Sequence, residues 1–384
     1  MHSGHVGCLG CGATMAMRYV LKALGPKTVM SIPACCWAVM PGVFPLKCLD
    51  VPMLYTAFEV TGASISGLRA AFDAQGKKDI NVVGFAGDGG TADTDTDIDT
   101  DDDFDCATAP APPFTFTTIT NVVSGEDFAF DDEGNLIGMA GGDLFKSTKT
   151  GGSTLWISGA GCVSGLRALP NGDVVCNGSD TLLLFDKDSG IKTTITTALS
   201  YPNGLEVDFD GFVYVSEQSS GEVTKADPYT GETWTIATGL NAPNGLTFSP
   251  NYETLYVGSF GGGMIYKIDF DAAGQPGLAS TFITASSPEG TAVGMTGAFD
   301  GMGVDICGNV YVCDYGIINV YRISPDGATI EIAVDLSPPS SWIPNMQWGS
   351  GVGGWDDQTL YVIDISGAVY ETPVGVPSKL RPYP

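Results

Sequence analysis

Histidine is nearly absent from this chain: there are two, His2 and His5, and none after position 5. Almost the whole length is therefore closed to a Ser-His-Asp hydrolase and to an imidazole-ligated zinc site. Basic residues are also scarce, 17 Lys and Arg against 44 Asp and Glu, for a net charge of −27 and a pI near 4.1. A surface that acidic argues against nucleic-acid and anionic-membrane partners and favours cations. No run of about 20 apolar residues occurs, so no membrane span is expected. The opening MHSGHVGCLGCGATM lacks the basic start and apolar core of a secretory signal, and no signal peptide is expected on this chain.

What the chain does have is divided in two. Eight of the thirteen residues from Asp93 to Asp105 are Asp, interleaved with Thr. Like charge at that density keeps a segment extended, so residues 94–113 are expected to be a disordered acidic linker. Residues 1–93 have compact α/β character, and residues 114–384 are turn-rich and β-like. The ten cysteines divide as well: Cys8, Cys11, Cys35, Cys36 and Cys48 crowd the first part, and the other five are spread over the second. The first group suits metal chemistry in a reducing cell, whereas the second is open to disulfides of a secreted domain.

In the first part, Ala13–Leu24 and Ala63–Ala74 space their apolar residues as helices do, and Thr28–Ile32 is a strand candidate. Asp79–Ala86 reads as a buried parallel strand that runs into Gly87-Asp88-Gly89-Gly90. That order places the Asp88 carboxylate at the carboxyl edge of a sheet, where open α/β sheets bind ligands. GHVGCLGCGATMAMRYVLKALGPKTV, PACCWAV and KKDINVVGFAGDGGTAD together resemble the opening of the thiamine-diphosphate-binding β subunit of 2-oxoacid:ferredoxin oxidoreductases. The resemblance implies that Cys8, Cys11 and Cys36 match thiolate ligands of a [4Fe–4S] cluster. It also implies that Asp88 matches a Mg²⁺ ligand of the cofactor's diphosphate site. It stops after Asp93, before the Asn turn and the fourth cysteine that the family needs. Neither thiamine diphosphate nor the cluster is therefore expected to bind, and the segment reads as truncated.

In the second part a short pattern returns. Ser164-Gly165-Leu166, Asn203-Gly204-Leu205, Asn244-Gly245-Leu246, Asp300-Gly301-Met302 and Asn345-Met346 each open a unit of alternating strands, as in LEVDFDGFVYVSE and MGVDICGNVYVCD. A more divergent unit, EDFAFDDEGNLIGMAGGDLFKSTK, precedes them. Openings recur about every 40 to 57 residues, and six four-stranded units account for the length, the arithmetic of a six-bladed β-propeller. Phe114–Val122 is expected to close the ring as an outer strand of the last blade. Propellers gather the entrances of their innermost strands at one mouth, which predicts convergence of Glu126, Ser164, Asn203, Asn244, Asp300 and Asn345. An all-oxygen set of that kind suits Ca²⁺ and, less well, Mg²⁺ or Mn²⁺. For any single Asn-Gly the plain alternative is a turn that exploits positive φ.

This part, over Ser124–Lys379, resembles the gluconolactonase/regucalcin-like propellers, among which are diisopropylfluorophosphatase and strictosidine-synthase-like members. The resemblance implies one divalent cation held by Glu126, Asn203, Asn244 and Asp300, with Asp300 as catalytic base or nucleophile toward a lactone or ester. Gly125-Glu126-Asp127 departs from the family's Glu-Gly-Pro. It also implies an extracellular or periplasmic setting, at odds with the cytoplasmic character of the first part.

Two other readings stay open. One is a non-catalytic secreted binding module with a structural Ca²⁺, in which Trp342, Trp348 and Trp355 either line a partner surface or pack in the core. The other is a fragment of the oxidoreductase fused to a propeller. Cys307 with Cys313 and Cys162 with Cys176 are each candidate disulfides, with buried free thiols the alternative.

Overall fold

A computed structural model describes residues 104–382 continuously and, before them, residues 17, 20–22, 24–33, 49, 51–56, 61–75, 77–78 and 80–85. The chain divides into two compact units, Met1–Asp103 and Phe104–Pro384. Among the described residues no helix is long and apolar enough to cross a membrane.

In the first unit three parallel strands lie in the order Met53–Thr56, Thr28–Pro33, Asn81–Gly84. The helix Thr61–Ala74 packs beside them. Met17, Leu21, Met30, Ile32 and Phe85 form a small buried cluster. The described residues within 13–24 are helical. Cys8, Cys11, Cys35, Cys36 and Asp88, with the acidic tract as far as residue 103, lie outside the described residues.

The second unit is a six-bladed β-propeller of four-stranded antiparallel sheets. Its innermost strands are Phe128–Phe130, Ser164–Ala168, Pro202–Val207, Pro243–Phe248, Phe299–Val304 and Met346–Trp348. Each sheet is sandwiched between neighbours, so inner strands are buried on both faces: every residue of Ser164–Ala168, Val213–Glu217 and Thr359–Ile363 is buried. Outer strands such as Lys192–Thr196 and Thr233–Ala237 are largely exposed and carry the Thr and Lys. This gradient explains why second strands read as near-continuous Val, Leu and Tyr while outer strands read as polar. The first hairpin of several blades is shaped by an Asp side chain. Asp131, Asp208 and Asp305 each accept the backbone N–H four residues on.

The ring closes through Thr117–Ile119, which pairs with Val369–Pro373 as the outer strand of blade six. Residues 104–113 differ from the expected linker. Cys106–Thr108 forms a 3₁₀ turn capped by Asp105, and Cys106 is bonded to Cys307 across 201 residues of sequence. The acidic tract therefore gives way to folded chain by Phe104, because a covalent tie fastens residue 106 to blade five. Cys162 pairs with Cys176, and Cys313, a candidate partner of Cys307 with a buried thiol as the alternative, is a buried free thiol. Trp348 and Trp355 are core residues, donating from Nε1 to the carbonyls of Val376 and Gly134, whereas Trp342 is 49% exposed.

Candidate metal centre at the propeller axis

Pairing of the first two strands in each blade fixes a common register. Phe130, Ala168, Val207, Phe248, Val304 and Trp348 are equivalent, each at the outgoing end of its innermost strand. Four residues earlier stand Glu126, Ser164, Asn203, Asn244, Asp300 and Pro344. These six form the entrance ring. Asn345, expected in the ring, sits one position further in, because blade six carries Pro344 where the others carry the oxygen-bearing residue. Its Oδ1 instead accepts the N–H of Met346, as Asp127 Oδ1 accepts that of Phe128 at the same register.

The residue after each entrance explains the recurring glycine. Gly204, Gly245 and Gly301 do not have left-handed φ, so the turn explanation fails for them. A methyl built on Gly204 would strike the carbonyl of Asn244, on Gly245 the carbonyl of Asp300, and on Gly301 the backbone and side chain of Asn345. Six innermost strands converge on one axis, and there a neighbour's backbone fills the space of a side chain. In blades one and six, Asp127 and Asn345 occupy this register instead.

Asp300 and Asn244 are buried, and the Asn244 side chain is hydrogen-bonded to the Asp300 carboxylate. Burial, then the charges of Glu126 and Asp127, push the Asp300 carboxyl well above the usual carboxylate range. Burial and Asp127 likewise push Glu126 up to about 7. Asn203 holds the matching place on blade three, half-buried. Ser164 does not aim at the axis; its Oγ donates to the carbonyl of Pro202.

Deeper in the channel the charges are matched. Arg167 Nη1 lies 2.8 Å from Asp127 Oδ2. Lys379 Nζ lies 3.0 Å from Glu206 Oε2 and donates to Thr247 Oγ1 at 3.0 Å. Burial would raise the Glu206 carboxyl, but the Lys379 and Arg167 charges outweigh it and hold it below its usual value. Lys379 comes from the carboxyl-terminal tail, whose Arg381 donates to the carbonyls of Trp348 and Gly349, so the tail plugs the far end. No sequence signal marked it: PSKLRPYP reads as a polar, solvated end.

Glu126 and Asp300 thus remain without a salt-bridge partner among the described residues, and the Glu126 charge is felt at the Asp300 carboxyl. Asn177 Oδ1, buried beside Ser164 and Asn203, also lacks a hydrogen-bond donor there. Unmatched negative charge and a spare amide oxygen fit a hard divalent cation. Among the described residues no three His, Cys, Asp or Glu are grouped to hold a metal. That is compatible with this set, because two of its four members are Asn.

A groove of about 630 Å³ is lined by residues of blade one with Cys162 and Val163 before blade two and Ile365, Ser366 and Gly367 of blade six; Glu126 is the one ring residue in its wall.

Comparison with known proteins divides as the chain does. The amino-terminal part is 53% identical over 97 residues to ketoisovalerate oxidoreductase subunit VorB of Pyrococcus furiosus, covering 24% of this chain and 31% of that one. It is 47% identical over 90 residues to pyruvate synthase subunit PorB of Methanothermobacter thermautotrophicus, covering 23% and 31%. The chain thus spans about a third of the length of these curated relatives. The propeller is similar in fold to a gluconolactonase from Xanthomonas campestris (TM-score 0.54, 18% identity, 70% of this chain and 96% of that one). It is also similar to a calcium-binding protein, regucalcin, from Agrobacterium tumefaciens (TM-score 0.55, 20% identity, 70% and 96%). The family model for the SMP-30/Gluconolactonase/LRE-like region matches residues 136–366, more than half of the chain and five of the six ring positions. On that match, the chain belongs to the SMP-30/gluconolactonase/LRE-like family.

Proposed function

We propose that the propeller is a divalent-cation-dependent hydrolase of lactones or esters, with Ca²⁺ held by Glu126, Asn203, Asn244 and Asp300. The carrying observation is the unmatched pair of carboxylates, Glu126 and Asp300, in a channel whose other two carboxylates each have a cation. A bound cation there supplies Lewis-acid polarisation of a substrate carbonyl.

The chain's own residues do the rest. Asn244 donates to the Asp300 carboxylate and orients it. Asp300 takes the proton of the attacking water as that oxygen adds to the carbonyl carbon. The acyl C–O bond then breaks, and the same proton passes to the departing alkoxide, leaving a hydroxy acid or an acid and an alcohol. With no histidine in this unit, Asp300 is the general base best placed among the ring residues.

The test is calcium binding by calorimetry together with pH-stat hydrolysis of a lactone panel, with and without EDTA. Metal-dependent turnover supports the proposal. Calcium binding without turnover of any lactone or ester would favour a structural ion in a binding module. We further propose that the propeller, residues 114–384 with the preceding residues from Phe104, works in an extracellular or periplasmic compartment, which its two disulfides support. For the amino-terminal part, similarity over about a third of the VorB and PorB subunits does not carry an oxidoreductase activity into the proposal.

A further inference from the structure

Resting on the hydrolase reading, we infer that the mouth of the channel selects esters whose alcohol carries a quaternary ammonium group, bound on an aromatic wall of Phe260, Tyr315 and Trp342. The wall follows from the register of blades four to six. There the loop after the second strand returns an N–H to the chain entering the innermost strand: Phe260 donates to the carbonyl of Ala242, Tyr315 to that of Ala298 and Ile365 to that of Trp342. Ala242, Ala298 and Trp342 each stand two residues before a ring position, so this layer lies roughly 7 Å along the strand from the ring. Phe260 meets Tyr315 edge to face with ring centroids 5.4 Å apart, and Tyr315 stacks on Trp342 at 6.1 Å. Phe260 and Tyr315 are half-buried and Trp342 is exposed. Burial, then the charges of Asp300 and Glu126, push the Tyr315 hydroxyl above its ordinary range. A phenol that senses carboxylates on both blade five and blade one leans over the mouth rather than away from it.

Aromatic faces attract ammonium groups through the ring quadrupole, Trp most strongly. The loops around the mouth add charge of the matching sign. Each blade sends two segments to the ring side, the turn between its second and third strands and the link into the next blade. None of these segments contains Lys or Arg, whereas Asp180 and Glu289 stand exposed in them. The loops of the other face, by contrast, hold Lys149 and Lys187. Lys192 approaches from an outer strand, but it is bonded to the carbonyls of Gly159 and Ala160 in the link to blade two, across the ring from blade five. Even with the charges of Glu126 and Asp300 compensated by an ion, this face stays acidic, drawing a cationic group in and turning an anionic one away. An ammonium two carbons from the ester oxygen reaches the aromatic layer when the carbonyl sits on the ring.

The experiment uses the full chain in excess calcium. Choline is compared with 3,3-dimethyl-1-butanol, its uncharged isostere, by ligand-observed NMR, and acetylcholine with 3,3-dimethylbutyl acetate by pH-stat. The expected result is at least about fivefold tighter binding of choline, with a higher kcat/KM for acetylcholine. Trp342→Ala, at an exposed site, should bring the binding preference below about twofold, and Trp342→Phe should keep most of it, with melting temperature and calcium affinity retained in both. Equal binding of the two alcohols, or equal kcat/KM for the two esters, overturns the inference. So does a preference for choline that survives Trp342→Ala, which would belong to the acidic surface at large. A choline preference that depends on Trp342, without turnover of either ester, sinks the hydrolase reading and leaves the cation site standing.

Discussion

Lys379 Nζ lies 3.0 Å from Glu206 Oε2 in the floor of the central channel, both side chains only 4% exposed. Removing one partner strips the other buried charge of the counter-charge beside it. Lys379→Ala should destabilise the propeller by about 3–5 kcal/mol. Lys379→Met combined with Glu206→Gln should recover much of that loss, because no stranded charge remains. Urea titration of the two variants checks both halves. A Lys379→Ala protein as stable as the parent would show that the tail does not plug the channel.

Asp300→Asn removes the proposed base and one of the unmatched negative charges. Turnover should fall by about 10²–10⁴-fold, and calorimetry should show weaker calcium binding. Glu126→Gln should weaken the ion without removing the base, so its turnover should recover at high calcium while that of Asp300→Asn does not.

In the metal-free protein the Glu126 carboxyl is pushed up to about 7 from an ordinary 4.5. Between those values the folded chain keeps a proton that the unfolded chain has lost. Stability of the metal-free protein should therefore fall as pH rises through that window. Burial of Asp300 acts in the same direction. Calcium competes with those protons: its affinity should rise by about tenfold per pH unit for each proton displaced, with the Glu126 contribution levelling off above about 7. Calorimetry in buffers of different ionisation enthalpy counts the protons released.

Gly245→Ala forces a methyl against the Asp300 carbonyl, backbone that cannot rotate away. A loss of about 3 kcal/mol or more is expected. Ser164→Ala, one register position earlier on blade two, gives up a single hydrogen bond to Pro202, about 1 kcal/mol. Thermal melts of the two variants separate a requirement for close approach from general sensitivity of the ring.

Reduction should destabilise the propeller, since each disulfide contributes about 2–4 kcal/mol. Cys106→Ala and Cys162→Ala variants apportion that loss. Retention of the parent's melting temperature in dithiothreitol would remove the support for an oxidising compartment.

Blade number, ring closure and most of the entrance ring were legible in the sequence, because Asn-Gly-Leu and Asp-Gly-Met recur ahead of strands of one pattern. The slip at blade six had a local cause. Pro344-Asn345 lacks the following glycine, so the Asn offered itself as the ring residue although the strand register gives that place to Pro344. The role of the glycine was also hidden, since a close approach between blades leaves the same letter as a turn. The Cys106–Cys307 pair joins residues 201 positions apart, and Lys379 reaches the axis only through the path of the tail. Contacts of those kinds have no periodic signature.

The alternation around the mouth separates what holds the blades together from what the proposed ion would meet. At Gly204, Gly245 and Gly301 a neighbour's main chain or adjoining atoms fill the space, so those sites are closed to variation. The residue just before each carries the oxygen-bearing side chain of the entrance ring: Asn203, Asn244 and Asp300. In the proposed centre, oxygen donors and blade joints are thus assigned to adjacent positions of one strand, Asn203, Asn244 and Asp300 for the first and the glycines after them for the second.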